Sequence, residues 1–201
     1  MARAYEMKRR ADRAEETRTR IVEATIALHR TIGPARTTVT EIAERAGVGR
    51  VTVYRHFPDE MSLSRACSGS YFARNPLPGV DGWRAIEEPL DRLRTALRET
   101  LAWHDANAEM IGRALADARD HPVMAPYHRH WAEAARVLAA GWRATGGRAA
   151  ERRAGIALAL SFDSYRTLVR EQGLSIERAA RLLERLVVGG AGPRGGATGR
   201  E

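Results

Sequence analysis

Residues 37–63 read TTVTEIAERAGVGRVTVYRHFPDEMSL, and the spacing within this stretch decides the fold. Thr38 followed three residues later by Glu41 is the pattern of a reciprocal helix cap, in which each side chain serves the other residue's backbone N–H. The helix so started runs through Ala46. Gly47 can turn the chain at positive φ, and a second short helix is expected from about Arg50 to Phe57, where Pro58-Asp59 stops it and starts another. Ala43 is small where the two helices must approach, and Ile42, Ala46, Val48, Val53 and Phe57 are apolar where the pair must pack on a neighbour. The other face of the second helix carries Arg50, Thr52, Tyr54, Arg55 and His56. Two short helices joined by a glycine turn, with hydrogen-bonding side chains on about two turns of the second, fit a helix-turn-helix whose second helix suits a major groove. A small helical hairpin with a merely solvated polar face would share the pattern.

Apolar residues recur at three- and four-residue spacings on both sides of this unit, so the fold class is all-α. A first helix is expected from about Ala14 to Thr31, with Ile21, Thr25, Leu28 and Ile32 on its inner face, Arg18, Arg20 and Glu23 outside, and Gly33-Pro34 as its stop. Downstream, helices are predicted at about Asp59 to Arg74, Glu88 to His104, Ala106 to Arg119, Val123 to Thr145, Arg148 to Gln172 and Ser175 to Val188. The domain division that follows is a basic N-terminal arm at 1–13, a helix-turn-helix domain at 14–66, a larger helical domain at 67–188 and a glycine-rich tail at 189–201. The tail has no apolar residue larger than alanine after Val188 and is expected to be disordered. Arg3, Lys8, Arg9, Arg10 and Arg13 could make the arm a DNA contact; because Glu6, Asp12, Glu15 and Glu16 interleave with them, a solvated helix end is an equal alternative, and a disordered arm is a third.

The chain has 201 residues, 44% of them hydrophobic, enough for a real core without disulfides or a metal. Thirty-three basic residues against 25 acidic give a net charge of +8 and an isoelectric point near 10.6, which favours a polyanionic partner. All but Lys8 of that positive charge is arginine. Only +4 of it lies in the first 66 residues, from thirteen basic and nine acidic side chains, so charge alone is a poor basis for DNA binding. Cys67 is the sole cysteine, and the N-terminus lacks the apolar core of a secretory signal, so a cytoplasmic protein without disulfides is expected. No stretch approaches the ~18 to 20 apolar residues needed to span a bilayer, so no membrane partner is expected.

The stretch 37–63, with the amphipathic helix before it, its Ala46-Gly47-Val48 turn and its Tyr54-x-x-Phe57 ending, resembles the DNA-binding region of the TetR family of bacterial transcriptional regulators. The specific part of the resemblance covers Thr17 to Leu63, and the chain length agrees with the family's plan of three N-terminal helices for DNA and six more for ligand binding and dimerisation. The resemblance implies a homodimer bound to an inverted repeat of double-stranded operator DNA, and more specifically a repressor released by a small-molecule effector. It implies further that Thr40, Arg50, Thr52, Tyr54 and Arg55 face bases or nearby backbone and that His56 holds a phosphate. Two positions depart from the family pattern. Glu60 stands where a phosphate-binding lysine is frequent, and Gly49 replaces the usual Ser or Thr cap, at a loss of only a few tenths of a kcal/mol.

Beyond the helix-turn-helix, aromatic and sulfur side chains gather on the predicted helices. Most read as core; in the resembling family this region encloses a ligand pocket, which implies that Trp103, Met110, Tyr127 and Trp131 line one, with Phe72, Leu97 and Phe162 behind. The last two helices present matching apolar faces, with Leu158, Tyr165 and Val169 on one and Ala179, Leu183 and Leu186 on the other. The resemblance makes them a dimer interface; closure of the chain's own core is the alternative. His104, His121, His128 and His130 do not read as a metal site, because His128 and His130 point apart on a helix and no Cys or paired carboxylate accompanies them. No cofactor and no catalytic residue is expected: there is no glycine-rich phosphate loop, nucleophile elbow or HExxH. A non-specific architectural DNA binder, or less plausibly a helical enzyme, is the competing function.

Overall fold

The structure is a computed structural model that describes residues 1–142 and 146–189, leaving aside the side chains of residues 2–4. Every regular element among the described residues is helical. They divide into two compact units: Met1–Pro76 with Asn107–Ala125, and Leu77–Ala106 with the residues from Pro126 onward. The predicted tail from residue 190 lies outside the described residues; the helix predicted from Val123 to Thr145 instead runs from Ala125 to Ala139 and is followed by Gly141 at φ 85°.

In the first unit, α1 spans Ala2–Thr31, α2 Val39–Ala46, α3 Arg50–His56, α4 Glu60–Arg74 and α7 Ala108–Ala118. The first helix starts twelve residues before the predicted Ala14, so the 1–13 arm is helical. Residues 5–16 are exposed, and what makes them helical is intrinsic propensity: alanine, arginine, glutamate and methionine dominate, and no glycine, proline or β-branched residue intervenes. Past residue 20 the helix becomes amphipathic. Ile21, Val22 and Ala24 join Ile42, Ala43, Ala46, Val53, Phe57, Leu63 and Cys67 in one buried core, with the Thr25 hydroxyl folded back to the Ile21 carbonyl at 2.8 Å. Because Leu63 and Cys67 belong to this core, the unit extends past the predicted boundary at residue 66 to Pro76. It also takes in α7, which sequence order alone assigned to the other domain.

In the second unit, α5 spans Val80–Arg84, α6 Pro89–Ala106, α8 Ala125–Ala139, α9 Gly146–Ala159, α10 Phe162–Tyr165 and α11 Ile176–Gly189. The pairing of α6 with α11 is central: Leu93, Leu97 and Leu101 are buried on one, Ala179, Leu183 and Val187 on the other, and Arg94 donates to Glu184 at 2.9 and 3.0 Å. Periodicity predicts one helix from Arg148 to Gln172, but the chain breaks at Leu160 and Ser161. The Ser161 hydroxyl accepts from the Ser164 N–H at 3.1 Å, and both serine hydroxyls donate to the Leu158 carbonyl, so local side-chain bonds replace helical ones. Beyond Tyr165 the turns widen over Arg166–Glu171 before Gly173, at φ 68°, reverses the chain. Ser175 then caps α11 through the Arg178 N–H at 3.3 Å.

Two structural anchors of this unit escape the sequence reading. Trp83 is fully buried on α5 and donates its indole N–H to Glu99 at 2.7 Å. Arg92 is buried and spreads its guanidinium over the carbonyls of Ile86, Glu87, Val137 and Ala140, at 2.6 to 3.2 Å. A buried guanidinium is tolerable only when so paired, and this one closes the C-terminal end of α8 against the start of α6.

Candidate nucleic-acid interface

The α2–α3 unit is built by local chemistry. The Glu41 N–H donates to the Thr38 hydroxyl at 3.3 Å while the Thr38 N–H donates to the Glu41 carboxylate at 2.9 Å, completing the reciprocal cap. These bonds, the backbone one first, hold the Glu41 carboxyl below its usual range. Gly47 ends α2 in the left-handed region at φ 64°, and the Val48 N–H returns to the Ala43 carbonyl at 3.0 Å. Gly49 starts α3 without a side-chain cap. At the far end the Asp59 carboxylate accepts from the Ser62 N–H at 2.7 Å and starts α4.

Burial of Val53 and Phe57 fixes which face of α3 looks outward. Arg50, Tyr54 and Arg55 are exposed on it, Thr52 and His56 are half-buried beside it, and Thr40 is exposed in the first turn of α2. The surface also carries Val51, 81% exposed, which the polar pattern overlooked. Its signal was available: two positions before buried Val53 on a helix is nearly the opposite face. An exposed β-branched side chain beside arginine and tyrosine can touch a thymine methyl, while Arg50 and Arg55 can reach base edges or phosphates.

Arg18, expected on the outer side of α1, instead lies half-buried with its guanidinium 4.3 Å from the centre of the Phe57 ring, and donates to the His56 carbonyl at 3.4 Å. It braces the C-terminal end of α3 and is a positioning residue. Glu60 is exposed at the start of α4, and its negative charge acts on nearby His29, whose imidazole is nevertheless held below its ordinary range by burial.

Two of the seven predicted pocket residues belong to the first unit and five to the second. In the first unit Phe72 and Met110 line a cavity of about 80 Å³ together with Ile26, Tyr71 and Met124, with His29 and Glu60 among its polar walls. Cys67 also borders it, but burial pushes that thiol up to about 12, so it stays protonated and unreactive. In the second unit Trp103, Trp131 and Phe162 pack around His104, with the Trp131 and Phe162 rings 5.1 and 5.5 Å from the imidazole, Tyr127 packs on Trp103 and Trp131 at 6.4 and 6.0 Å, and Leu97 is buried on α6. His104 accordingly packs as an interior residue. Of the six predicted interface residues, Leu158 and Leu186 are 65% and 61% exposed and Val169 is half-buried. Tyr165, Ala179 and Leu183 are spent on the unit's own core. Among the described residues no three potential metal ligands gather, and no helix is long and apolar enough to cross a membrane.

Residues 21–66 match the family described as bacterial regulatory proteins, tetR family. Over 60 residues the chain is 42% identical to the HTH-type transcriptional regulator TtgR of Pseudomonas putida, covering 30% of this chain and 29% of that one. Over 90 residues it is 39% identical to the uncharacterized HTH-type transcriptional regulator Rv2250c of Mycobacterium tuberculosis, covering 41% and 47%. The chain thus matches less than half the length of these curated relatives. Similarity of fold reaches much further. The TetR-like regulator LfrR from Mycobacterium smegmatis, solved in complex with proflavine, superposes with a TM-score of 0.52 at 19% identity over 90% of this chain and 98% of that one. The fatty acid degradation regulator FadR from Bacillus halodurans does so with 0.58 at 14% identity over 92% and 97%. Residues 21–66 thus carry a helix-turn-helix of the tetR-family type, in an all-helical fold similar nearly end to end to that of such regulators.

Proposed function

We propose that this regulator binds an inverted-repeat operator as a homodimer, through the outward face of α3, and represses until a small-molecule effector releases it. The observation that carries the reading is the two-sidedness of α3: Val53 buried, with Arg50, Val51, Tyr54 and Arg55 presented together to solvent. Thr40, Thr52 and His56 flank that face and would add base or phosphate contacts. Two copies are needed because a half-site recurs at about 34 Å or a multiple of it, and a single α3 of seven residues reads few base pairs. Phe72, Met110 and the aromatic set of Trp103, Tyr127, Trp131 and Phe162, with Leu97 behind, remain the candidate effector contacts. Release follows only if the effector binds the DNA-incompetent state more tightly.

Selection of duplexes from a random pool by the full chain tests the reading directly. Arg50→Ala and Tyr54→Phe are each expected to weaken binding to the selected duplex by about 1 to 3 kcal/mol at fixed salt, with helical content unchanged. Equal affinity for selected and random duplexes across a salt titration would favour the architectural alternative instead.

The dimer is assigned to exposed Leu158 and Leu186 with half-buried Val169, and Tyr165, Ala179 and Leu183 would support it from the core. Leu186→Glu is expected to give a folded monomer on sedimentation, because that side chain is largely outside the core and its charge would be desolvated only in an interface. An unmodified chain that sediments as a monomer at micromolar concentration would defeat the assignment.

A further inference from the structure

The charges of residues 6–23 interleave in sign along the chain, and the helix sorts them. At about 100° per residue, Arg9, Arg10, Arg13 and Arg20 fall within about 100° of the circumference of α1. Asp12, Glu15, Glu16 and Glu23 fall within a second arc of similar width, its centre about 120° away, with Glu6 and Lys8 as the exceptions, one on each arc. Contacts at Arg20 and Glu23 fix what each arc borders. A guanidinium nitrogen of Arg20 lies 3.8 Å from where a Cβ on Gly47 would stand, so the basic arc borders the turn that leads into α3. The Glu23 carboxylate accepts from Arg74 at 2.9 Å, so the acidic arc borders the end of α4. Arg9, Arg10, Arg13 and Arg20 are all exposed, and among the described residues none of them is in an ion pair. Arg9 and Arg13 lie one turn apart, a like-charge spacing that weakens an isolated helix, and residues 5–16 are exposed, so packing does not offset the repulsion.

We propose that the basic arc of α1 is a second DNA-contact surface, laid along the phosphates of duplex DNA beside the half-site that α3 occupies. The proposal rests on the reading of α3 as the element in the groove and adds to it a contact that is independent of base sequence. Charge complementarity names the partner: a row of unpaired guanidinium groups on one side of a helix gains most from a regular row of anions, and a phosphate accepts two parallel bonds from each planar fork. The length fits as well. From Arg9 to Arg20 the helix rises about 16 Å, or about five base-pair steps, so phosphates recur along the whole arc. The acidic arc gives the contact a direction, because the helix rolled onto that side would set Asp12, Glu15 and Glu16 against the same phosphates. Charges that cancel when counted along the chain therefore leave one strongly basic side once the segment is helical, and that side lies next to the turn into α3.

The test is the affinity of the full chain for the selected duplex and for a random duplex of equal length, measured from about 50 to 200 mM salt. Each phosphate contact removed lowers the slope of log affinity against log salt by about 0.9. Arg9→Gln, Arg10→Gln and Arg13→Gln combined should lower it by about 2 to 3 and weaken binding at the low-salt end by about tenfold or more, on both duplexes alike, with helical content unchanged because glutamine is a good helix former. Arg20→Gln, in the packed part of α1, should lower the slope by about 1. Lys8→Gln removes a charge from the other arc of the same helix and should leave the slope at the parent's value. An unchanged slope in the combined variant, or an equal fall per charge in Lys8→Gln, overturns the proposal. If the slope is unchanged while the combined variant loses binding to phosphatidylserine vesicles or loses self-association on sedimentation, the face belongs instead to a membrane or to a second copy of the chain. Since the slope is read on random DNA too, failure of Arg50→Ala to weaken binding to the selected duplex would count against the proposed function and leave this surface standing. A chain that binds neither duplex overturns both.

Discussion

Truncation of Phe57 to alanine is expected to destabilise the DNA-binding unit by about 3 to 5 kcal/mol and to abolish operator binding. The ring is only 2% exposed and packs in the core formed by Ile21, Ile42, Val53 and Leu63, so its removal leaves a cavity among side chains that cannot easily collapse. It also removes the surface on which the Arg18 guanidinium lies at 4.3 Å, and with it the tie from Arg18 to the His56 carbonyl. A loss of this size is a large fraction of the stability of an ordinary domain. Since α3 has seven residues and no side-chain cap, it has no means of persisting once its packing is lost. Urea unfolding of the parent, Phe57→Ala and Phe57→Leu provides the check. The leucine variant should fall between, and a cost under about 1 kcal/mol for alanine would mean that Phe57 does not anchor α3.

Acidification is expected to weaken the second unit by up to about 3 kcal/mol between pH ~6.5 and ~4, through His104. Burial among Trp131, Phe162 and Tyr165 lowers this imidazole to about 4, and the contact of its Nε2 with the Leu160 carbonyl at 3.1 Å offsets burial only in part. An unfolded chain takes up the proton near pH 6.5 whereas the folded one resists until about 4, so protons bound by the unfolded state pull the equilibrium toward unfolding within that window. Above it His104 adds no pH dependence, and below it both states are protonated and the loss is complete. Subtracting the urea midpoints of His104→Gln from those of the parent isolates this contribution from the carboxylates that titrate nearby. A difference that does not change between pH 7 and 4 would contradict the assignment of a neutral, buried imidazole.

What could be read from the sequence was set by neighbours in the chain. The Thr38–Glu41 cap, the Gly47 turn, the Asp59 start and the Ser175 start are contacts between residues at most five apart, and each lies at the position the sequence indicated. The same locality made the outward face of α3 legible, apart from Val51, whose apolar character concealed its exposure. The helical state of residues 2–13 agrees with the solvated helix end that their interleaved charges indicated, against the arm that the basic residues suggested.

Which distant residues share a surface had no such signal. Arg18 reached His56, Arg92 closed on Val137 and Ala140, and Asp117 met Ala35, over separations of 38 to 82 residues that no periodicity encodes. The same limit applies to the predicted pocket and interface. One apolar stripe on a helix announces burial without saying against what: Phe72 and Met110 line the cavity of the first unit, Trp103 and Tyr127 pack together in the second, and Leu183 is buried where Leu186 is exposed. The sequence by itself determined the helix-turn-helix, because its caps, turn and two-faced helix are short-range and each is specified by residue type. Only the tertiary structure decided that α7 belongs with that unit and which apolar residues remain exposed, because burial depends on the face another segment presents and the hydrophobic effect is non-directional.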